Sequence, residues 1–441
     1  LLWGPGTLAL ILGTGAWLTL RTGGFPQRNL GRALGLSLGR EARKKGKNGV
    51  SPFGSLMTAL ASTVGTGNIV GVAAALVSGG PGALVWMELA ALLGLAAKFA
   101  ECMLAVKYHR VRQDGTRWGG PMAVMETRLG PAGAVLGRFY ALFALLMAFT
   151  MGALAQSGAL ADTFAAAFAL PRYKVGLVTA VLALVILLGG VRRIADAATV
   201  LVPVMALLYI GGGLAVILGN GNRLPEALAL MVRCAFAPEA ALGGALGTVT
   251  RRSAIRWGVA RGVFSNEAGL GSAAITAACA DTEDPVRQGL ISMTGVFFDT
   301  TVICTVTGLA ICCSGTLGTA DGAGRPLTGA ALTLRAFETV LGPLAPWLIG
   351  VALGLFAFTS VLGCAVQAET TASYLLGPEA VRPCRVLYGL AVWAGVVLPM
   401  ETVLQLADLS NALMALPNLA CLVLLSGEIA AECGRFPAQK L

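Results

Sequence analysis

The chain is a succession of long apolar stretches cut by short polar or Gly/Pro-rich joints, and this pattern predicts membrane-spanning helices from end to end. A helix needs about 20 mostly apolar residues to cross a bilayer. Eleven stretches approach that length: roughly 6–22, 54–78, 84–108, 136–168, 174–191, 196–219, 256–281, 286–314, 343–374, 384–401 and 407–430. Within them apolar residues run continuously rather than alternate, which disfavours a β-barrel. The segment 224–250 holds apolar pieces too short and too Gly-rich to span, and reads as an outer loop with a short or re-entrant helix.

Two stretches are interrupted. The second carries Ser62, Thr63, Gly65, Thr66, Gly67, Asn68 and Gly71 in its middle. Each glycine costs a helix about 1 kcal/mol of propensity. Unwinding there frees peptide groups, which lipid tolerates only where they line a cavity or bind something. The seventh repeats the device with Ser265, Asn266, Glu267, Gly269, Gly271 and Ser272. Small residues that let helices pack closely explain a single such stretch well. Two breaks with polar side chains, five spans apart, favour a binding site instead. That spacing is expected if spans 2–6 and 7–11 are inverted repeats, because five crossings reverse the direction of entry. The expected organisation is an extra N-terminal helix and basic loop (1–50), a first five-helix repeat (51–219), an outer loop (220–255), a second repeat (256–430) and a tail (431–441).

Composition supports the membrane assignment. Of 441 residues 56% are apolar and 12% charged, against about 25% charged in soluble proteins; the mean hydropathy is +0.77. A net charge of +10 could suit nucleic acid, but the cations cluster between apolar spans, so no nucleic-acid partner is expected. The loop after the first span holds Arg21, Arg28, Arg32, Arg40, Arg43, Lys44, Lys45 and Lys47; the loop after the third holds Lys107, Arg110, Arg112 and Arg117. Both lie on one side if the spans alternate, and that side is cytoplasmic, in a cell inner membrane, with the N-terminus outside and the C-terminus inside. Arg251, Arg252 and Arg256 fall outside in this arrangement and count against it. The chain begins on Leu1, so a few residues are expected ahead of it, without a cleavable leader.

Ten scattered cysteines show no CxxC or zinc spacing, which argues against a disulfide or metal framework. The single histidine, His109, sits at the end of the third span, so no mid-membrane base is available for hydrolytic chemistry and no enzyme is expected. A channel needs a continuously lined pore or a carbonyl ring; two helix breaks suit an occluding carrier better.

The string Gly65 to Ala73, then Gly79-Gly80-Pro81-Gly82-Ala83, Ala97-Lys98-Phe99-Ala100-Glu101, Gly119-Gly120-Pro121-Met122 and Gly258 to Ala273 with its Ser265-Asn266-Glu267-Ala268-Gly269-Leu270-Gly271-Ser272 core resemble the alanine/glycine:cation symporter family, also called sodium:alanine symporters. The resemblance covers nearly the whole chain and is densest at 50–126 and 257–302. It implies an all-α membrane protein of eleven transmembrane helices with a LeuT-type core of two inverted five-helix repeats plus one extra N-terminal helix. The implied activity is sodium-coupled symport of a small neutral amino acid, alanine or glycine or somewhat larger. Proton coupling on the same fold is the nearest alternative.

The resemblance also assigns residues. Thr66, Gly67 and Asn68 are expected at the substrate carboxylate, where helix N-terminal amides favour an anion. Ser265, Asn266 and Ala268 are expected at the ammonium, and Gln156 at the substrate, although a buried Gln often only ties two helices. Sodium is expected between the hydroxyls of Thr359 and Ser360 and the carbonyls of Ala61, Val64 and Phe356; adjacent Thr-Ser otherwise back-bonds to the preceding turn. Family members usually carry a Trp where this chain has Cys364, which implies extra room and a substrate larger than glycine. Other intramembrane charges are Glu88, Lys98, Glu101, Asp162, Asp299 and Glu369. Lys98 and Glu101 are spaced to pair on one helix face, and Glu267 with Arg261 is expected either as a gate tie or as a fixed ion pair.

Overall fold

The computed structural model describes residues 4–44, 49–112, 115–237, 239–243, 247–320, 322 and 324–436; Lys45 and Lys47 of the basic loop, and 437–441 of the tail, lie outside these. Helix α1 (Pro5–Arg21) is followed by a short amphipathic α2 (Leu30–Leu38). The first interrupted span is α3 (Pro52–Thr63) and α4 (Val70–Gly79), bent by 63° at a break bridged by a 3-10 turn, Thr66–Asn68. Then come α5 (Gly82–Lys107), α6 (Gly130–Met147), α7 (Gln156–Phe168), α8 (Arg172–Leu187), α9 (Gly190–Gly219) and α10 (Leu224–Phe236). The second interrupted span is α11 (Arg251–Asn266) and α12 (Ser272–Ala277). It leads to α13 (Pro285–Val296), α14 (Thr305–Ser314), α15 (Gly329–Leu341), α16 (Ala345–Leu376), α17 (Val381–Ala394) and α18 (Met400–Leu424).

Several helix starts have readable causes. Pro52 opens α3, with the Ser51 hydroxyl accepting the Gly54 N–H at 3.0 Å. Pro285 opens α13 below an Asp284 carboxylate that accepts the Arg287 N–H at 3.0 Å. Thr250 and Ser253 cap α11 reciprocally. Each supplies an acceptor for an amide that the first helical turn cannot satisfy itself.

Helices occupy every stretch expected to span, yet they differ in reach. Among the described residues six helical segments are long and apolar enough to cross a membrane alone, and the bent α3–α4 pair makes a seventh. Helix α8, with 16 residues, and α17, with 14, are short, and α11–α12 is divided. The short helix expected within 224–250 is α10. Other features lay outside the sequence reading. Strand β3 (Glu239–Gly243) pairs antiparallel with β4 (Gly247–Thr250), and a smaller ladder pairs β1 (Arg110–Val111) with β2 (Arg117–Trp118). Helix α15 lies between the eighth and ninth expected spans, where the sequence reading named no element. Two π-helical stretches, Ala148–Ala155 between α6 and α7 and Phe297–Cys304 between α13 and α14, interrupt otherwise continuous helices.

Packing centres on the two interrupted spans. Helix α5 lies against α11, α12 and α13, and α16 lies against α3, α7 and α9. Backbones of α3 and α16 touch directly: a Cβ at Gly363 would stand 2.4 Å from the Ser62 backbone nitrogen. Only glycine permits that approach.

Candidate functional site

Both breaks divert backbone N–H groups away from the carbonyls that a continuous helix would give them. At the first break, Gly65 N–H donates to Asn68 Oδ1 at 3.0 Å. The i−4 acceptor it abandons is the carbonyl of Ala61. Helix α3 therefore ends with open carbonyls and a partial negative charge facing the break. On the far side, the Thr66 and Gly67 N–H groups have no acceptor among the described residues and carry the positive end of the turn leading into α4.

The second break works alike. Ala268 N–H donates to Asn266 Oδ1 at 3.0 Å, and Gly269 N–H donates to Glu101 Oε2 at 3.2 Å. The carbonyls of Phe264 and Ser265 lose their helical donors in consequence. Glu267 adopts the left-handed conformation at φ 52°, and Gly269 and Gly271 have φ 87° and 79°, values that glycine reaches without cost. Glu101 also accepts from Gly271 N–H at 3.1 Å and Asn418 Nδ2 at 3.2 Å, so α5 and α18 together hold the unwound loop. Its other oxygen lies 3.6 Å from Lys98 Nζ, as the spacing predicted.

The two breaks are locked to each other. Asn68 Nδ2 donates to Ser265 Oγ at 2.9 Å and to Asp299 Oδ1 at 2.7 Å. Ser265 Oγ donates to Asp299 Oδ2 at 2.7 Å. Asn266 Nδ2 donates to Thr300 Oγ1 at 3.2 Å, and Thr300 donates to Asp299 Oδ2 at 3.0 Å. All five side chains are buried. The side chains of Asn68 and Ser265 are thus engaged with each other and with Asp299, and that of Asn266 with Thr300. The open groups at the breaks are backbone: the Thr66 and Gly67 amides on one side, the Phe264 and Ser265 carbonyls on the other. Asp299, read in sequence only as one more intramembrane acid, is the hub.

Gln156 reaches the first break. Its Oε1 accepts from Thr66 Oγ1 at 3.4 Å, and a Cβ on Gly65 would meet its amide at 3.5 Å and Ser360 Oγ at 2.8 Å. Thr66 and Gly67 remain half-buried, with the Phe264 ring over Gly67. Ala268 is buried and sits against Gly94 of α5.

The residues expected around sodium gather at the end of α3. Ser360 Oγ lies 3.5 Å from the Val64 carbonyl and 3.0 Å from that of Phe356, and Ala61 faces Gly363 on the same side of α16. A hard cation takes oxygen ligands of this kind. Thr359, one residue earlier, bonds the carbonyls of Leu355 at 2.9 Å and Phe356 at 3.0 Å and touches Met205 Sδ at 3.2 Å. Its hydroxyl faces α9 and not the Val64 carbonyl.

Two further expectations meet different geometry. Cys364 is buried against the first π stretch, where a Cβ at Gly152 would lie 2.2 Å from its own Cβ. The space a larger side chain would need there is closed by the approach of the two helices. Glu267 accepts a hydrogen bond from Ser272 and makes no ion pair with Arg261. The Arg261 guanidinium stacks over Trp257 and Phe264, each at 5.7 Å.

A helical bundle with two facing breaks, each presenting open peptide groups to the other, defines a membrane carrier that encloses its cargo. Its fold is that of LeuT-type transporters: the crystal structure of MhsT in complex with L-phenylalanine superposes with a TM-score of 0.59, at 14% identity, over 86% of this chain and 90% of that one. The chain belongs to the sodium:alanine symporter family, whose profile it matches over residues 1–441. It is 41% identical over 439 residues to the sodium/alanine symporter AgcS of Methanococcus maripaludis, covering 98% of this chain and 94% of that protein. It is 37% identical over 447 residues to the probable sodium/glutamine symporter GlnT of Bacillus subtilis, covering 100% of this chain and 89% of that protein.

Proposed function

We propose that this protein takes up a small neutral amino acid, with alanine as the first substrate to test, by symport with sodium. The observation that carries the reading is the paired diversion of N–H groups by Asn68 and by Asn266 with Glu101, which opens peptide groups of both signs at adjoining breaks. Burying a zwitterion in a membrane demands partners for both charges. The Thr66 and Gly67 amides receive the carboxylate, and the carbonyls at Phe264 and Ser265 receive the ammonium. Gln156 borders the same space. Sodium binds between the carbonyls of Ala61, Val64 and Phe356 and the Ser360 hydroxyl, with Thr359 orienting the helix behind it.

The chain crosses the membrane eleven times in this reading, as two inverted repeats after an extra helix, with the N-terminus outside and the C-terminus in the cytoplasm. A polar cavity of about 360 Å³, lined by Arg112, Arg117, Arg192, Glu369 and Arg385, lies at the cytoplasmic end in this reading. Sodium bound at the first break holds the diverted backbone in place and so raises amino-acid affinity; by linkage the amino acid raises sodium affinity equally. The membrane potential adds about 2.3 kcal/mol per charge per 100 mV to uptake. Counterflow of labelled L-alanine in proteoliposomes is the test. Sodium-dependent exchange is expected, and exchange that ignores sodium at constant pH and ionic strength defeats the reading.

A further inference from the structure

Most of the membrane-embedded carboxyl groups have strong partners. Asp299 has three side-chain donors, Glu101 has two backbone amides and Asn418, and Glu369 pairs with Arg385 through two bonds of 2.8 Å. Glu267 is fully enclosed at the second break. Glu88, on α5, differs. It accepts hydrogen bonds from the Thr305 hydroxyl at 2.8 Å and from the Thr301 hydroxyl, and forms no ion pair among the described residues. Its carboxyl fronts a cleft of about 500 Å³ otherwise lined by apolar side chains and Thr301, Leu30 of α2, Leu92 and Leu95 of α5 and Phe297 among them. The cleft opens on the flank of the bundle where Leu89 and Leu92 are exposed.

We propose that Glu88 binds and releases a proton during the transport cycle. This rests on the carrier reading above and adds a second ion to it. An unpaired carboxylate inside a bilayer costs about 3 kcal/mol on insertion scales, and such residues mark ion or proton sites. Among the described residues no cation offsets that cost at Glu88, so a proton is its natural counter-ion. The proton also has a route of influence. Thr301 lies within the π stretch Phe297–Cys304 and Thr305 follows it directly. The opposite flank of that stretch carries Asp299, which joins Asn68 to Ser265. The ionised carboxylate accepts the Thr305 O–H and fastens α5 to the π stretch. The neutral carboxyl carries a donor in place of one acceptor, and the fastening loosens on the helix that holds both breaks together.

The other titratable and charged groups nearby face elsewhere. On α5, Lys98 pairs with Glu101 and Lys107 pairs with Glu428 and Glu432. On the π stretch, Asp299 faces Asn68, and the Cys304 thiol lies 3.4 Å from Asn68 Nδ2. On α11, Arg261 stacks on Trp257 and Phe264. Arg32 of α2 and Arg21 of α1 are exposed, and Arg287 stands at the start of α13, away from the cleft.

Dicyclohexylcarbodiimide modifies carboxyl groups in apolar surroundings only while they carry a proton, which makes it the probe. Protein in proteoliposomes is labelled across the range from about pH 6 to about pH 8, with and without sodium plus L-alanine, and the modified peptide is mapped by mass. Labelling at Glu88 is expected to fall as pH rises and to change when sodium and alanine are added. In Glu88→Gln, sodium-driven uptake should lose the pH dependence of the wild type. Thr305→Val keeps the carboxyl and removes one of its two hydroxyl donors, so labelling should persist to higher pH; this variant serves if Glu88→Gln does not fold. Glu88 left unlabelled throughout, labelling indifferent to sodium and alanine, or an unchanged pH profile in Glu88→Gln each overturns the proposal. Sodium-driven uptake that persists in those cases leaves the symport reading standing, whereas absent sodium-driven uptake removes that reading.

Discussion

Asn68 and Asp299 stand 2.7 Å apart, amide to carboxylate, across 231 positions of the chain. Through this contact the first break is tied to the π stretch that also holds the second. Replacing Asp299 with Ala removes the shortest bond of Asn68 Nδ2 and leaves the buried Ser265 hydroxyl without its carboxylate acceptor, and a stranded polar group costs about 1–3 kcal/mol. Asp299→Ala is expected to lower the melting temperature in detergent and abolish uptake. Asp299→Asn keeps one acceptor and should retain more stability than transport. Equal stability of wild type and Asp299→Ala would contradict the assignment.

The two hydroxyls at the proposed sodium site are not equivalent. Ser360 Oγ faces the Val64 carbonyl, while Thr359 Oγ1 faces Met205. Ser360→Ala should therefore raise the sodium concentration for half-maximal uptake by about tenfold, the equivalent of roughly 1.4 kcal/mol. Thr359→Ala should raise it less. Uptake measured against a sodium titration decides the order, and the reverse order would place the ion nearer α9.

Lys98 and Glu101 form a buried pair whose carboxylate also holds the second break. Removing one member leaves the other charge unpaired, at a cost of about 3–5 kcal/mol. Glu101→Ala should accordingly be less stable than the double variant Lys98→Met with Glu101→Ala. A thermal-melt double-mutant cycle tests this, and strict additivity would mean that the two groups do not interact.

A methyl group at Gly363 would strike the Ser62 backbone at 2.4 Å. Gly363→Ala should cost about 1–3 kcal/mol by overpacking and weaken sodium dependence, because it pries α16 from the carbonyls of α3. Wild-type sodium kinetics in this variant would show that the contact is dispensable.

Sodium binding to the folded chain should raise its melting temperature. At about a hundredfold excess over its dissociation constant, sodium contributes about 2.7 kcal/mol. Melting in sodium chloride and in choline chloride at equal ionic strength should differ, and alanine should widen the difference only when sodium is present.

Both breaks were legible in the sequence because glycine and small polar residues at mid-span contradict the surrounding helix signal. The roles of the side chains there were less legible. Asn68 was expected at the substrate because it lies in the right string, but its partners Ser265 and Asp299 come from distant spans, and no local pattern announces them. Asp299 looked like any lone acid in an apolar run. The π stretches left no trace either, since an added residue in a helical turn does not alter composition. Cys364 was expected to leave room because a small side chain replaces a large one; Gly152 across from it closes the gap, a compensation visible only in three dimensions. The Lys98–Glu101 pair was legible because both residues share one helix. Thr359 and Ser360 were expected to act together, but Ser360 faces the Val64 carbonyl and Thr359 faces Met205, a difference set by rotation of α16, which spacing alone does not fix.

The bare contact between Gly363 and Ser62 also constrains how the carrier can move. With no side chain interposed, the inner half of the first broken helix has no cog with which to roll along its neighbour. Separating α3 from α16 means giving up this backbone contact, and under the proposed sodium site it also draws the Ala61 and Val64 carbonyls from Ser360. Opening the seam and letting go of the ion are then a single stroke of the proposed cycle.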